Sequence, residues 1–289
     1  MSDARDRLLD AVRSGGTAAV AFSGGVDSAV VLRAAVDVFG DRAVAVTGVG
    51  PSLSREERDA ARALARSLGV RHVEVDPDEL ASAGYVANAG DRCLHCKRSL
   101  YAAAAPLARA LGAPAILNGT NVDDLGDVRP GLVAAEEAGV RSPLVEAGLR
   151  KADVRGVAAE WGLPVADKPA SPCLASRIAP HVEVTRERLA MVEEAERVVR
   201  TLLNVNEFRV RLEAASLARI ELPPDRISAA VEYRQRLVRE LTALGFRRVS
   251  VDLAGFESGN LNAVAGELVS LERPDRQVLP PAGDSAKSR

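Results

Sequence analysis

Apolar residues recur along this chain with two alternating periods. Residues 4–13 carry the spacing of a short amphipathic helix, ended by Ser14, Gly15 and Gly16. TAAVAF (17–22) is a short run of small and β-forming residues, as a buried strand requires, and a helical pattern follows over about 28–39. AVAVTGV (43–49) predicts a second strand. SREERDAARALARSLG (54–69) predicts a helix with Ser54 as N-cap, Glu57 completing a capping box and Gly69 as its stop. VRHVEVD (70–76) predicts a third strand, residues 98–111 an Ala-rich helix, and PAILNGT (114–120) a fourth strand. No internal repeat is present. Strands alternating with helices predict an α/β fold, a doubly wound parallel sheet covered on both faces. In such sheets ligands bind beyond the carboxyl ends of the strands. SGGVDS, VTGVGPS and NGTNVDD all fall at such ends.

The pattern changes after about residue 165. DKPASPCLASRIAPH (167–181) is a Pro/Ser-rich connection, followed by a charged helix at 185–203. EFRVRLE (207–213) and LARIEL (217–222) predict two strands, 224–244 a helix and FRRVSVDL (246–253) a further strand. The expected organisation is a first domain over 1–166, a second, smaller α+β domain over 167–273, and a disordered tail over 274–289.

Composition narrows the function. A chain of 289 residues has room for two cores, and with aromatics at 3% those cores must be mostly Ala, Val and Leu. The formal charge of −2 gives no general attraction to nucleic acid or to an anionic membrane. No apolar run approaches a membrane span and the charged N-terminus lacks a signal-peptide core, so the expectation is a soluble, cytoplasmic protein. Three cysteines cannot form a closed set of disulfides and need another role.

A Ser-Gly-Gly-x-Asp-Ser turn between strand and helix is suited to phosphate. Gly24 and Gly25 let backbone N–H groups approach an anion, Ser23 and Ser28 add donors, and the helix N-terminus adds positive potential. Asp27 is then a candidate for a magnesium ion that bridges the phosphates. No lysine follows the glycines, which excludes the GxxxxGK[ST] fingerprint. In NGTNVDD, Thr120 and Asp124 are candidate nucleotide or magnesium contacts, with an N-cap and solvated turn as the alternative.

RCLHCK (92–97) holds Cys93 and Cys96 as a CxxC, and SPCLASR holds Cys173. Both stretches read as polar, cation-rich loops. A zinc site of three cysteines and one histidine (His95, His72 or His181) stays open. So does a reactive thiolate at Cys173 next to Arg177. Three thiolates with an open fourth position also suit a 4Fe-4S cluster. Arg209 and Arg211, two apart in FRVRLE, share a strand face. With Ser176, Arg177 and Glu196 they are candidates for a phosphate-and-ribose pocket, a solvated charged face being the alternative.

SGGVDS resembles the PP-loop of the ATP pyrophosphatases, the adenine nucleotide alpha hydrolase-like superfamily, which cleave ATP between the α- and β-phosphates. RCLHCK, NGTNVDDLGDVRPGLVAAEEAGVRSPL, KADVR, DKPASPCLASRI and the AER, RVR and ARIE series extend the likeness. Together they resemble the LarE family, ATP-dependent sulfur transferases of nickel-pincer nucleotide synthesis, over about residues 8–255. The resemblance implies ATP and Mg2+, and adenylation of the two carboxylates of a pyridinium mononucleotide followed by their conversion to thiocarboxylates. One branch sacrifices a cysteine sulfur at the CLxSR position. Another holds a 4Fe-4S cluster on three cysteines, and Cys93, Cys96 and Cys173 match that branch. Ser176, Arg177, Glu196, Arg209 and Arg211 would bind the substrate phosphate or ribose. A homo-oligomer is also implied, with no nucleic-acid or membrane partner. The chain departs from the family pattern in Ala-Pro-His-Val after Ile178 and in Leu94 and His95 inside the CxxC. The other readings are a PP-loop tRNA thiolase, an amide-forming synthetase, and a non-catalytic nucleotide- or zinc-binding module.

Overall fold

Four short strands form a parallel sheet: β1 (Ala19–Ala21), β2 (Val44–Gly48), β3 (Arg71–Val75) and β4 (Ile116–Leu117). Their order is β3-β2-β1-β4. The structure is a computed structural model and describes residues 2–14, 19–113, 115–126 and 130–256. Helices α1 (Ser2–Ser14), α2 (Val26–Phe39), α3 (Arg55–Ser67), α4 (Ala83–Ala87) and α5 (Arg92–Ala110) are interleaved with these strands. After β4 come α6 (Pro130–Glu137), α7 (Pro143–Glu146) and α8 (Lys151–Glu160).

The pleat sorts the sheet's side chains into two layers. Val20 and Ala45 face a core shared with α1, α2, α3 and α8. Ala19, Val44, Val46 and Ile116 face the other way, onto Ala104 and Ala108 of α5. Small residues let α2 lie close on the sheet, with Ala29, Ala34 and Ala35 fully buried. Successive strands step outward from β1 to β3, and β4 then returns to the opposite side of β1. That reversal makes the gap beyond β1 and β4 the switch point of the sheet, where its loops diverge and a ligand can enter.

A second sheet follows: β5 (Arg209–Glu213), β6 (Leu217–Glu221) and β7 (Arg248–Val251), with β5 and β6 antiparallel and β6 and β7 parallel. The parallel pair needs a crossover, supplied by α10 (Ile227–Glu232) and α11 (Arg234–Ala243). Helix α9 (Arg186–Leu203) buries Leu189, Val192, Ala195, Val199 and Leu203, a stripe at helical spacing, against this sheet. Tyr85 of α4 is buried in the same core. No described helix is long and apolar enough to cross a membrane.

Several expected elements shift. Helix α2 starts at Val26 rather than 28, because Gly25 serves as the N-cap and brings Asp27 and Ser28 into the first turn. The larger correction concerns RCLHCK, expected as a polar loop before a helix at 98. Helix α5 starts at Arg92, so Cys93 and Cys96 lie on its first turns. Charged and polar residues there cover an exposed helix end, which periodicity alone reads as loop. Ser54 caps α3, accepting from the Glu57 amide at 3.2 Å. Only this half of the capping box forms: the Glu57 carboxylate is taken by Lys168 at 2.7 Å. The helix expected over 224–244 is two, broken at Tyr233. Residues 15–18 and 114, parts of two expected elements, and the expected tail lie outside the described residues.

Candidate active site

The turn after β1 closes on itself. The Ser23 amide donates to Ser28 Oγ at 3.3 Å, the Ser28 hydroxyl to the Gly25 carbonyl at 3.0 Å, and the Gly25 amide to Ser23 Oγ at 3.4 Å. Thr47 of β2 ties the turn to the sheet by donating to the Phe22 carbonyl at 2.6 Å. Gly24 has φ +76, and a Cβ there would lie 3.1 Å from Ala61 Cβ on α3. Because Gly25 caps α2 without a side chain, the positive end of that helix is left to an anion.

The loop after β4 lies directly on this turn. A Cβ at Gly119 would sit 2.7 Å from the Ser28 amide nitrogen and 2.9 Å from the Asp27 carbonyl carbon. Asn121 donates to Asp27 Oδ1 at 3.3 Å. Its own amide donates to Asp124 at 3.0 Å, and the Thr120 amide donates to Asn118 Oδ1 at 3.1 Å. Thus Ser23, Gly24, Gly25, Asp27, Ser28, Thr120 and Asp124 are brought to one end of the sheet. Lys151, which the sequence reading missed, joins them. It is the first residue of α8, pairs with Asp27 and donates its backbone amide to Asp123 at 2.8 Å. The KADVR stretch carried it, and only the fold shows that α8 starts at the switch point.

Loops after β2 and β3 continue the floor. Glu79, 1% exposed, accepts from the Ser52 hydroxyl at 2.9 Å through one oxygen, while its second oxygen is buried without a partner. Its carboxylate packs against Gly50, where a Cβ would meet it at 2.1 Å. Ser52 in turn accepts the Leu174 amide through its carbonyl at 2.9 Å. One bond therefore fastens the residue after Cys173 to the end of the parallel sheet. Tyr85 is buried beside Ser52 with its hydroxyl unbonded, and burial pushes its ionisation well above the ordinary phenol range.

The three cysteines are free, Cys93 and Cys173 exposed and Cys96 half-buried. Burial, then the neighbouring Cys173 sulfur, pushes the Cys96 thiol up to about 12. Among the described residues no three His, Cys, Asp or Glu side chains are close enough to hold a single metal ion. Two of the three histidines are engaged elsewhere. His95 contacts Asp91 at 3.2 Å, and His72 bonds Thr47 at 2.8 Å and packs edge-on against Phe22. The three-cysteine, one-histidine zinc arrangement is thus not formed.

The arginines are buried rather than spread on a solvated face. Arg177, 5% exposed, pairs with Glu196 at 3.0 Å and donates to the carbonyls of Pro172 and of Cys173, the latter at 3.1 Å. Arg211, 7% exposed, makes a two-pronged pair with Glu221 at 2.9 and 3.0 Å and reaches the Ser176 carbonyl at 2.9 Å. Ser176 donates its hydroxyl to the Cys173 carbonyl at 2.7 Å. Among the described residues Arg209 makes no ion pair: it stacks 4.9 Å from the Phe256 ring centre and donates to its neighbour's carbonyl. Burial, then the charges of Arg177 and Arg211, hold its pKa below the usual guanidinium value. Ser176, Arg177, Glu196, Arg209 and Arg211 form one cluster, in which two arginines brace the Cys173 loop and Arg209 has no carboxylate paired with it among the described residues.

Known proteins fit this geometry. The asparagine synthase family model matches residues 3–106, the span from α1 through β1, β2, β3 and most of α5. An uncharacterised Synechocystis protein is 46% identical over 249 residues, 86% of this chain and 92% of its own length. The pyridinium-3,5-bisthiocarboxylic acid mononucleotide synthase of Lactiplantibacillus plantarum is 40% identical over 244 residues, 84% of this chain and 88% of its own. A tRNA-specific 2-thiouridylase of Xanthobacter autotrophicus is 36% identical, over only 53% of this chain and 49% of its own length. Likeness to the mononucleotide synthase extends along both sheets, whereas likeness to the thiouridylase covers about half the chain. The chain is an enzyme of the LarE family, the PP-loop ATP-dependent sulfur transferases.

Proposed function

We propose that this enzyme uses ATP to adenylate the carboxylates of pyridinium-3,5-biscarboxylic acid mononucleotide and converts them to thiocarboxylates. One observation carries the reading: the phosphate-type turn and the Cys173 loop are both fastened to the carboxyl end of the same parallel sheet, the latter through Ser52 and Leu174. A carboxylate oxygen attacks the α-phosphorus of ATP, the bond to the β-phosphate breaks, and pyrophosphate leaves. The turn of Ser23, Gly24, Gly25 and Ser28 holds the departing phosphates with backbone and hydroxyl donors. Asp27 would hold magnesium, which offsets phosphate charge when bound. Its present partner Lys151 would then be freed to donate to a phosphate oxygen. Thr120 and Asp124 would contact the nucleotide. Sulfur next attacks the activated acyl carbon, and AMP carries away the electron pair of the broken C–O bond.

Cys93, Cys96 and Cys173, three free thiols, would hold a 4Fe-4S cluster, which can take three thiolates from the chain and leave one iron open. Such a cluster supplies an iron with an open position for sulfide. Arg209, with no carboxylate paired with it among the described residues, would take the substrate phosphate, and Ser176, Arg177, Glu196 and Arg211 would line the same pocket. The reading keeps a PP-loop domain over 1–166, a smaller substrate domain after it, a homo-oligomer and a cytoplasmic setting.

Anaerobic purification with iron and sulfide assays tests it. About four irons per chain with a broad visible band, lost in Cys173→Ala, is the expected result. Pyrophosphate release that depends on the pyridinium dicarboxylate is expected alongside. An iron-free chain that still releases pyrophosphate would return Cys173 to the role of sacrificial sulfur donor.

A further inference from the structure

The two cysteine-bearing segments are about eighty residues apart in sequence and are joined in space by one amide and one guanidinium. Asn88 caps the C-terminal end of α4 in the left-handed region, φ +53, and is 3% exposed. Its side-chain nitrogen faces three carbonyls of the Cys173 loop: Ala179 at 2.8 Å, Val182 at 3.1 Å and Ile178 at 3.4 Å. Its backbone carbonyl accepts the His181 amide at 3.0 Å. Its side-chain oxygen accepts from Arg92 at 2.6 Å, and the same Arg92 nitrogen donates to the Ala175 carbonyl at 2.7 Å. Arg92 immediately precedes Cys93, and Ala175 lies two residues beyond Cys173. A single side chain thus ties the backbone next to one cysteine to the backbone next to another.

These bonds have a direction that core packing lacks. The residues before and at Cys173, 169–173, are all exposed, while Leu174, Ala175 and Ile178 after it are buried in the second core. Burial anchors the loop, and the polar ties fix its register, since buried amides and carbonyls left unpaired are costly. We propose that Asn88 and Arg92 are positioning residues that set the separation between Cys173 and the helix bearing Cys93 and Cys96, so that the three thiols present themselves as one set. The proposal rests on the reading above in which those thiols act together.

The test uses the full chain, stripped of iron with a chelator under anaerobic conditions, and dibromobimane, which becomes fluorescent when it bridges two neighbouring thiols; bridged peptides are mapped by mass spectrometry. Wild-type protein is expected to give both a Cys93–Cys96 and a Cys96–Cys173 bridge. Asn88→Gly keeps the left-handed backbone and removes only the amide. It is expected to slow Cys96–Cys173 bridging about tenfold while the Cys93–Cys96 rate within α5 stays unchanged. Arg92→Lys keeps the charge but loses the fork, and is expected to move the same rate in the same direction. It decides the matter if Asn88→Gly fails to fold by circular dichroism. An unchanged Cys96–Cys173 rate in a folded variant overturns the proposal, as does a wild-type chain that forms no such bridge. Iron content, measured on the protein before stripping, separates the two readings: wild-type protein that bridges as expected once stripped yet bound no iron beforehand keeps the positioning role and overturns the cluster instead.

Discussion

A glycine in a turn has two physical uses, and the switch point shows both. Gly24 is there for its backbone conformation, φ +76. Gly119 is there for its missing side chain, since a methyl group would press on main-chain atoms of Asp27 and Ser28 that cannot rotate away. Gly119→Ala must therefore lift the loop after β4 or distort the phosphate turn. The expected cost is about 1–3 kcal/mol of stability with at least about a tenfold rise in KM for ATP. Thermal unfolding and pyrophosphate release measure the two. Gly156→Ala on α8, where a Cβ meets nothing within 4 Å, is the control and should stabilise by about 0.5–1 kcal/mol. At this scale the phosphate turn was legible because its residue types, order and strand-to-helix setting all point to one chemistry. Gly119, Lys151 and Asn88 were not, because each depends on which distant segments the fold makes neighbours. Their sequence contexts read equally well as an ordinary turn, a helix start and a helix end.

Among elements, β3 and α3 are held by a carboxylate between two arginines. Glu74 accepts from Arg58 at 2.7 and 3.1 Å and from Arg62 at 2.7 and 2.8 Å, the arginines being one helical turn apart. Those hydrogen bonds lower the Glu74 pKa to about 2. In the unfolded chain the carboxylate titrates near its ordinary value of about 4.3. The stabilisation is therefore complete above that value and is lost as pH falls toward the folded one. Glu74→Gln should cost about 1 kcal/mol near neutral pH. Urea midpoints of variant and wild type should converge as pH drops below about 4. A gap that persists at low pH would assign the effect to packing instead. The four parallel strands and α3 were readable because their apolar runs or helical stripes are continuous. The start of α5 was hidden because its first turns are polar and only partly buried, and the break at Tyr233 because the apolar pattern runs on through it.

Across the whole molecule, two cores meet along a line of opposite charges. The first turn of α3 offers Arg55, Glu56 and Glu57. Arg55 pairs with Glu193 and Glu194 of α9, Glu56 with Arg200 of the same helix, and Glu57 with Lys168 on the connecting segment. Arg55 and Glu56 are mostly exposed, at 70% and 67%, so their pairs contribute little to stability. What they can fix is orientation: moving α9 against α3 moves the arginine cluster, which includes Glu196 of α9, relative to the phosphate turn beyond β1. The expected signature is a small effect on unfolding with a larger one on substrate use. Replacing Arg55, Lys168 and Arg200 together by Gln should leave the urea midpoint nearly unchanged, yet raise KM for the mononucleotide several-fold. Raising ionic strength from about 0.1 to about 1 M shortens the screening length from about 10 to about 3 Å. That change should raise the wild-type KM toward that of the triple variant and move the variant much less. Binding of a charged substrate weakens with salt in both proteins, so the ratio of their KM values is the quantity to follow. A ratio that falls toward one identifies the charge line as what aligns the two cores. A ratio independent of salt would assign alignment to the uncharged contacts, the Leu174–Ser52 bond and the Asn88 amide first among them.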